Sequence, residues 1–319
     1  MLRDTVVKDE PPKSVPPAEA RVIFNGRTGA RTWAATIIDL AMRGYVTIAE
    51  DVPQKRDKGV KGFSASMEYV MTPTNKESIE LLPYEKHFLE VIFPSDSGKH
   101  RSFSTRAVTG SLSSVREFKW AMIGIQEELT AETAADTKAY VEGRSYQKSM
   151  NVRNMFSACI LAALLGLWFI SNHQLNTDFS IYAVMVLAFI IVTAILVHKT
   201  FFSIKYTAAG KNLRAHLFAF RRYLKTATRD HDRELAPEKF EKYLPYAIIF
   251  SVNENWVRAF ANVRMNPPAW YQSAHAHGLG QYADSDTFDF SAATLSRLTH
   301  RCIFAFNCIT GSSRYSSDL

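Results

Sequence analysis

The architecture is decided by MFSACILAALLGLWFI at residues 155–170 and by FSIYAVMVLAFIIVTAILV at residues 179–197. Neither stretch contains a charged side chain, and the eight residues between them contain no Lys or Arg. A helix that crosses the hydrocarbon core of a bilayer needs roughly 20 apolar residues. The two stretches therefore predict a transmembrane helical hairpin over residues 151–198. The alternative is a buried hairpin in a soluble core, but a soluble helix of this length usually has a polar stripe.

The basic residues near the hairpin lie on its outer flanks. Arg144, Lys148 and Arg153 precede it, while residues 199–229 carry many Lys and Arg side chains but no Asp or Glu. Positively charged flanks stay on the cytoplasmic side of a membrane. We therefore expect a multi-pass protein with both soluble regions in the cytosol and the short turn outside. The first ten residues contain no apolar run, so we expect no cleavable signal peptide.

The basic region after the hairpin predicts a helix that lies against the membrane or packs on a soluble domain. A basic residue near an anionic leaflet gains about 1 kcal/mol. Seven residues are predicted to contact anionic lipid headgroups: Lys199, Lys205, Lys211, Arg214, Arg221, Arg222 and Lys225. The alternative is a solvated helix face without a lipid role.

Residues 18–80 predict a winged-helix-like module. A short helix at 18–24 is followed by a turn and by a helix with Thr32 as its N-cap and Gly44 as its C-terminal stop. A strand begins at Tyr45, and a second strand begins at Met67. The connection between the strands would form a basic wing with four possible contact residues: Lys55, Arg56, Lys58 and Lys61.

Such a module raises nucleic-acid binding as an alternative function. Its second helix can enter a major groove while the wing contacts phosphate. This helix offers only Arg31 and Arg43 as strong base-reading or phosphate-binding groups, and it also carries Asp39. We therefore favour packing or protein contact for the module and regard nucleic acid as an unlikely partner. Asp39 is expected to cap or hydrogen-bond neighbouring backbone.

The rest of the chain divides into four further segments. Residues 1–17 form a Pro-rich linker, and residues 81–150 form a helical lobe with Trp120 in its core. Residues 199–272 hold the basic juxtamembrane helix and a C-terminal helical lobe, interrupted at Leu244–Pro245 because proline removes a backbone donor. Residues 273–319 are expected to be a disordered tail. The predicted fold class is mainly α, with a small winged-helix-like α+β module and a two-helix transmembrane hairpin.

The sequence contains no arrangement that identifies a reaction. It has no Gly-rich phosphate loop, no G-x-S-x-G turn and no H-E-x-x-H motif. Glu85 and His87 lie close together at a helix start without a nucleophile, and His275 and His277 lack a third metal ligand. The three cysteines form no disulfide framework, which suits a reducing compartment. We expect no enzymatic activity, catalytic residue, metal or cofactor.

Several phrases, in a fixed order, resemble a known family. They are ARTWAATIIDLAMRGYVTI at 30–48, LLPYEKHFLEVIF at 81–93, YTAAGKNLRAHLFAFRRYLKTA at 206–227, PEKFEKYLPYAIIFSVNENWVRAFANV at 237–263 and PPAWY at 267–271. Over residues 16–272 the chain resembles the cytosolic and membrane-hairpin half of a bacterial predicted-membrane-protein family of unknown function that includes YciQ-like proteins.

The resemblance implies a place in the cell and no activity. It implies the bacterial inner (cytoplasmic) membrane, and it supplies no cofactor or site residue. The chain departs from the family pattern at both ends, because it starts after the expected first membrane helix and lacks a Gly-rich tail. We expect a membrane-anchored scaffold or interaction module whose protein partner is unidentified. A membrane-tethered nucleic-acid-binding regulator is the alternative.

Overall fold

The computed structural model describes residues 8–13, 15–51, 68–96, 99–106, 112–139, 206–227, 237–260, 268–273 and 292–310, and at 96, 99, 112–117, 237 and 292 it describes the backbone alone. The chain divides into two units, 1–137 with 210–319, and 138–209. The predicted hairpin at 151–198, the four wing residues, Lys199 and Lys205 all lie outside the described residues. None of the described helices is long and apolar enough to cross a membrane.

Two helices open the larger unit. Helix α1 spans Pro17–Asn25 and helix α2 spans Ala30–Met42. The prediction of Thr32 as N-cap is wrong: Gly29 holds that position, and the Thr32 hydroxyl accepts the Gly29 N–H at 3.1 Å from within the first turn. The predicted stop at Gly44 is confirmed, because Gly44 has a φ of 83° and the next N–H returns to the Leu40 carbonyl at 2.9 Å.

The predicted two-stranded ribbon is the centre of a larger sheet. Strands β1 (Val46–Asp51) and β2 (Glu68–Pro73) pair antiparallel, with Ile48 opposite Met71. Strands β3 (Ser95–Asp96) and β4 (Lys99–His100) form a separate small ribbon. Strands β5 (Phe103–Ser104) and β6 (Tyr271–Gln272) add to the outer edges of β2 and β1, and β6 runs parallel to β1. The four-stranded order is β5-β2-β1-β6.

Helices supply most of the remaining described structure. A 3-10 turn at Ser78–Glu80 precedes α3 (Pro83–Ile92) and α4 (Leu112–Thr137). The basic region forms α5 (Ala208–Thr226), followed by α6 (Pro237–Ile249), α7 (Asn253–Ala259) and α8 (Ala292–Thr310). The described residues are therefore mainly helical with a small mixed sheet, which confirms the coarse fold class.

Helix α2 lies at the centre of the core. Its Trp33, Ile37 and Ile38 side chains are almost completely buried, and α2 packs against α1, α6, α8 and β1. The Trp33 ring stacks on Phe88 of α3 with 5.4 Å between centroids. The described residues of 18–80, much of the helical lobe and the helices after residue 237 all belong to the larger unit.

The predicted linker also contacts this unit. Val15 is buried, and its carbonyl accepts a hydrogen bond from the Tyr246 hydroxyl at 2.8 Å. A ring nitrogen of His216 lies 3.0 Å from the Glu10 carbonyl oxygen. The segment just before α1 is therefore held against α5 and α6.

The prediction of a disordered tail is wrong for residues 292–310, which form α8. Its inward side chains recur at helical spacing: Leu295, Leu298, Cys302, Phe306 and Ile309 are all fully buried. The polar composition of residues 273–291 obscured this apolar periodicity, because it suggested that the whole tail lacked a face to bury.

The predicted break at Pro245 is displaced to residues 250–252. Pro245 lies inside α6, which continues to Ile249. The helix ends where Ser251 adopts a φ of 58°, with its N–H bonded to the Ile248 carbonyl and the Val252 N–H bonded to the Ala247 carbonyl at 2.9 Å. This pair of bonds is a Schellman motif, a more effective helix end than a proline in a well-packed helix.

Ser251→Gly is expected to stabilise the fold slightly. A non-glycine residue in the left-handed region costs roughly 1 kcal/mol, and part of that gain is offset by the greater freedom of glycine in the unfolded chain. We expect a net gain of about 0.5 kcal/mol in the free energy of unfolding, measured by denaturant titration. Ser251→Ala is the matched control and should give no gain; equal results for the two variants would contradict the conformational explanation.

Trp120 is not a core residue. Its side chain is 71% exposed, because the buried face of α4 carries Met122, Ile125 and Leu129 on the opposite side of the helix. Burial of Trp120 was predicted from its residue type alone, but its angular position on α4 places it on the exposed side of the helix.

Candidate functional site

The basic helix α5 has a distinct exposed face. Lys211, Phe218, Arg222 and Lys225 are exposed, and at 100° per residue they fall within a sector of about 60°. Phe218 is 38% exposed in spite of its apolar ring. The opposite side packs into the core through Leu217, Phe220 and Leu224. We call these four exposed residues the α5 basic face.

Not all of the predicted lipid-binding residues lie on that face. Lys211, Arg222 and Lys225 do, whereas Arg214 and Arg221 turn toward backbone. The Arg214 Nε–H donates to the Phe24 carbonyl at 3.3 Å, and the Arg221 Nε–H donates to the Phe250 carbonyl at 3.2 Å. These two guanidinium groups therefore help to hold α5 on its neighbours.

A second cluster of charged groups lies where α1, α2, α3 and α4 approach one another, with Glu19 and Glu85 buried and Asp39 and Arg43 partly exposed. The Glu85 carboxylate accepts the Leu82 N–H at 3.1 Å and pairs with Arg43 at 2.5 Å. Arg43 also pairs with Asp39 at 3.1 Å, so the expectation that Asp39 caps or bonds backbone is replaced by an ion pair. Burial raises the pKa of Asp39 to about 6, against the opposing effect of Arg43.

Glu19 is the most perturbed acid of this cluster. Its side chain is only 2% exposed, and burial, followed by the charges of Asp136, Glu132 and Glu85, raises its pKa to about 7. Among the described residues, neither the Glu19 Oε2 nor the Glu132 Oε2 has a hydrogen-bond partner. These features indicate an acid between α1 and α4 that keeps its proton to a higher pH than an ordinary glutamic acid does.

The cluster has no arrangement for nucleophilic or metal chemistry within the described ranges. His87 pairs with Glu128 of α4 at 2.9 Å, so the neighbouring Glu85 and His87 belong to different contacts. No group of three or more His, Cys, Asp or Glu side chains that could hold a metal ion is found in the part of the chain that is described. His275 and His277 lie outside that part.

The two arginines of α2 that were considered for nucleic-acid contact form contacts inside the fold. Arg31 donates to the Asn253 side chain at 3.2 Å, and Arg43 pairs with Asp39 and Glu85. The remaining α2 side chains are largely buried, which leaves little of the helix surface for a DNA groove.

Sequence reasoning missed Glu19 and Arg21. Both lie on α1, where an acid near the start of a helix and a basic residue after it are ordinary surface choices. Only the packing of α1 against α4 and against the end of α6 shows that Glu19 is buried and that Arg21 is partly buried, and no local pattern carries that information.

Comparisons with known proteins give a family and no activity. No curated protein matches the chain, and no solved structure matches it either. A family model described as "Predicted membrane protein (DUF2207) C-terminal domain" matches residues 7–260. The match covers helices α1 to α7 and the strands β1 to β5, and α8 follows it. The chain therefore belongs to this family of predicted membrane proteins, of which it carries the C-terminal domain.

Proposed function

We propose that this chain is a membrane-anchored scaffold or interaction module whose folded unit lies against an anionic leaflet. In this proposal the hairpin at residues 151–198 is the anchor, and the α5 basic face contacts lipid headgroups. Membership of a predicted-membrane-protein family supports the membrane association. The bacterial inner membrane and a cytosolic position of the folded unit are part of the proposal.

The observation that carries the proposal is the composition of the α5 basic face. Three cationic side chains share this face with one partly exposed aromatic ring, and α5 contains no acidic residue. Near an anionic leaflet each cation gains about 1 kcal/mol, and an aromatic side chain suits the headgroup boundary. Contacts this weak would be sufficient beside an anchor, because the anchor keeps the local lipid concentration high.

The proposal assigns no reaction and no nucleic-acid ligand. The described residues bring no nucleophile and base together, and the buried acid cluster opens onto no identified substrate site. The burial of α2 gives little support to the regulator hypothesis. Exposed Trp120 supports a contact surface of the scaffold kind, since Trp is enriched at interface hot spots.

The test uses the full chain reconstituted in lipid nanodiscs. We expect the amides of residues 211–226 to exchange hydrogen more slowly in discs that contain phosphatidylglycerol than in discs of phosphatidylcholine alone. High salt should remove the difference, because it screens exposed charges. The triple variant Lys211→Gln/Arg222→Gln/Lys225→Gln should also lose it.

The matched control makes the same charge change elsewhere. Lys86→Gln/Lys119→Gln/Arg258→Gln removes three exposed cations from α3, α4 and α7 and should keep the lipid-dependent protection of α5. Equal exchange in both lipid compositions for the wild-type chain would contradict the proposal, as would an equal loss in the two triple variants.

A further inference from the structure

Three arginines from three different helices converge on the C-terminal end of α6. Arg21 of α1 donates through Nη1 to the Ile249 carbonyl at 2.5 Å, and Arg221 of α5 donates to the Phe250 carbonyl at 3.2 Å. Arg31 of α2 donates to the side chain of Asn253 at 3.2 Å, just after the helix end. We call Arg21, Arg31 and Arg221 the arginine cluster.

Part of this arrangement is ordinary helix capping. The Schellman motif at Ser251 uses the carbonyls of Ala247 and Ile248, which leaves those of Ile249 and Phe250 to find other donors. A basic side chain at a helix C-terminus satisfies such carbonyls and complements the helix dipole. One arginine would be enough for this role.

The positive charge of the cluster exceeds what α6 can balance. The C-terminal end of a helix carries the equivalent of roughly half a negative charge. Against it stand three guanidinium groups, and Arg31 is the second residue of α2, so the positive end of that helix lies nearby. Among the described residues, no carboxylate forms an ion pair with Arg21, Arg31 or Arg221.

The effect of this uncompensated positive charge is seen at Arg21. Burial, then the charges of Arg31 and Arg221, lower its pKa to about 10, and its Nε–H is buried without a hydrogen-bond partner among the described residues. A buried donor that is left unpaired destabilises the fold, and like charges held together do so as well. Both costs disappear if an anion lies among the three side chains.

We propose that the arginine cluster is a binding site for a phosphate monoester dianion. Planar guanidinium groups match phosphate oxygens by paired hydrogen bonds, and three of them suit a doubly charged group. Each arginine is already oriented by one hydrogen bond, so little ordering is needed on binding. The site goes beyond the proposed function, because the α5 basic face requires no particular headgroup.

The phosphate monoester can come from a lipid or from a soluble compound. Arg221 and Arg222 are adjacent on α5, so the cluster lies directly beside the α5 basic face. A lipid with a terminal phosphate could therefore occupy the cluster while other lipids contact the face. A soluble phosphate compound would occupy the same site without a membrane.

The experiment compares both sources on the full chain. Inorganic phosphate is titrated in detergent micelles and followed by the rise in melting temperature, which binding to the folded state produces. In parallel, the chain is reconstituted in nanodiscs that contain phosphatidic acid, a monoester, or phosphatidylglycerol, a diester, at matched surface charge. A melting-temperature rise with phosphate alone supports the soluble source, and a larger rise with phosphatidic acid than with phosphatidylglycerol supports the lipid source.

Matched variants separate this site from general electrostatics. Arg31→Gln leaves both carbonyl contacts of the α6 end intact and should weaken phosphate binding at least about tenfold. Arg27→Gln removes an exposed arginine from the connection between α1 and α2 and should leave binding unchanged. Arg31→Lys keeps the charge but loses the planar guanidinium that can form paired hydrogen bonds. Its phosphate binding should therefore lie between that of Arg31→Gln and that of the wild type.

Two outcomes would overturn the proposal. One is a wild-type chain that responds to neither phosphate nor phosphatidic acid beyond its response to phosphatidylglycerol. The other is an equal response in Arg31→Gln and Arg27→Gln. The slower amide exchange of α5 in phosphatidylglycerol discs is a separate measurement. A failed phosphate site would therefore leave the membrane contact standing, and a failed membrane contact would leave the phosphate site standing.

Discussion

Phe306→Ala is expected to lower the free energy of unfolding by about 3 to 5 kcal/mol, which is the usual cost of removing a fully buried Phe side chain. Phe306 of α8 is completely buried, with its ring centroid 5.9 Å from that of Phe88 and 6.0 Å from that of Phe103. It thus joins α3, β5 and α8 in one aromatic cluster with Trp33. Denaturant titration followed by tryptophan fluorescence measures the change, because buried Trp33 reports on the same cluster.

The matched control for this prediction lies two residues earlier, on the other side of α8. Phe304→Ala removes the same atoms from the same helix, but Phe304 is 43% exposed and contacts the Arg301 guanidinium at 5.3 Å. We expect a loss below about 1 kcal/mol. Small and equal losses in the two variants would show that α8 is not part of the cooperative core.

The position of α8 is also fixed by a buried ion pair. Arg301 bonds the Glu68 carboxylate of β2 through both Nε, at 2.9 Å, and an Nη group. The Thr105 hydroxyl donates to the same carboxylate at 2.6 Å. A helix that follows the family-matched residues thus supplies both apolar and charged contacts to them, and the core of this chain includes it.

Sequence patterns predicted the elements better than their packing. The order of α1, α2, β1 and β2, the stop at Gly44 and the apolar side of α5 follow from local turn chemistry and helical periodicity. The addition of β5 and β6 to the sheet did not, since strands of two residues carry no periodic signal. The winged-helix comparison was drawn from the local order alone, and tertiary packing then placed α2 in the middle of the core.

The candidate sites also have features that follow from local sequence patterns and features that depend on tertiary packing. The exposure of three predicted lipid-binding residues, Lys211, Arg222 and Lys225, could be inferred from charge and helical phase. The inward turn of Arg214 and Arg221 could not, because it depends on carbonyl groups of α1 and of the end of α6. The arginine cluster joins residues about 230 positions apart, as the pair Arg21 and Ile249 shows, and no local window contains it.

Glu19→Gln is expected to make the protein more stable at neutral and higher pH and to leave its stability nearly unchanged at about pH 4.5 and below. The folded-state pKa of Glu19, about 7, lies above the ordinary value of 4.5. The folded protein therefore holds this proton more tightly than the unfolded chain, and wild-type stability falls as the pH rises from about 4.5 to about 7. Glutamine has the shape of the protonated glutamic acid but cannot ionise, so the variant lacks the loss of stability that comes from Glu19 as the pH rises. We expect a gain of about 1 to 3 kcal/mol above neutral pH.

The measurement is the free energy of unfolding of both proteins across the acid-to-alkaline range, with Glu90→Gln as the control for an exposed acid on α3. Some pH dependence should persist in Glu19→Gln, because the pKa of Asp39 is raised to about 6 and acts in the same direction. The control should follow the wild-type curve. A Glu19→Gln variant that is less stable than wild type above neutral pH would show that Glu19 is ionised and paired, and that the contact between α1 and α4 does not depend on a retained proton.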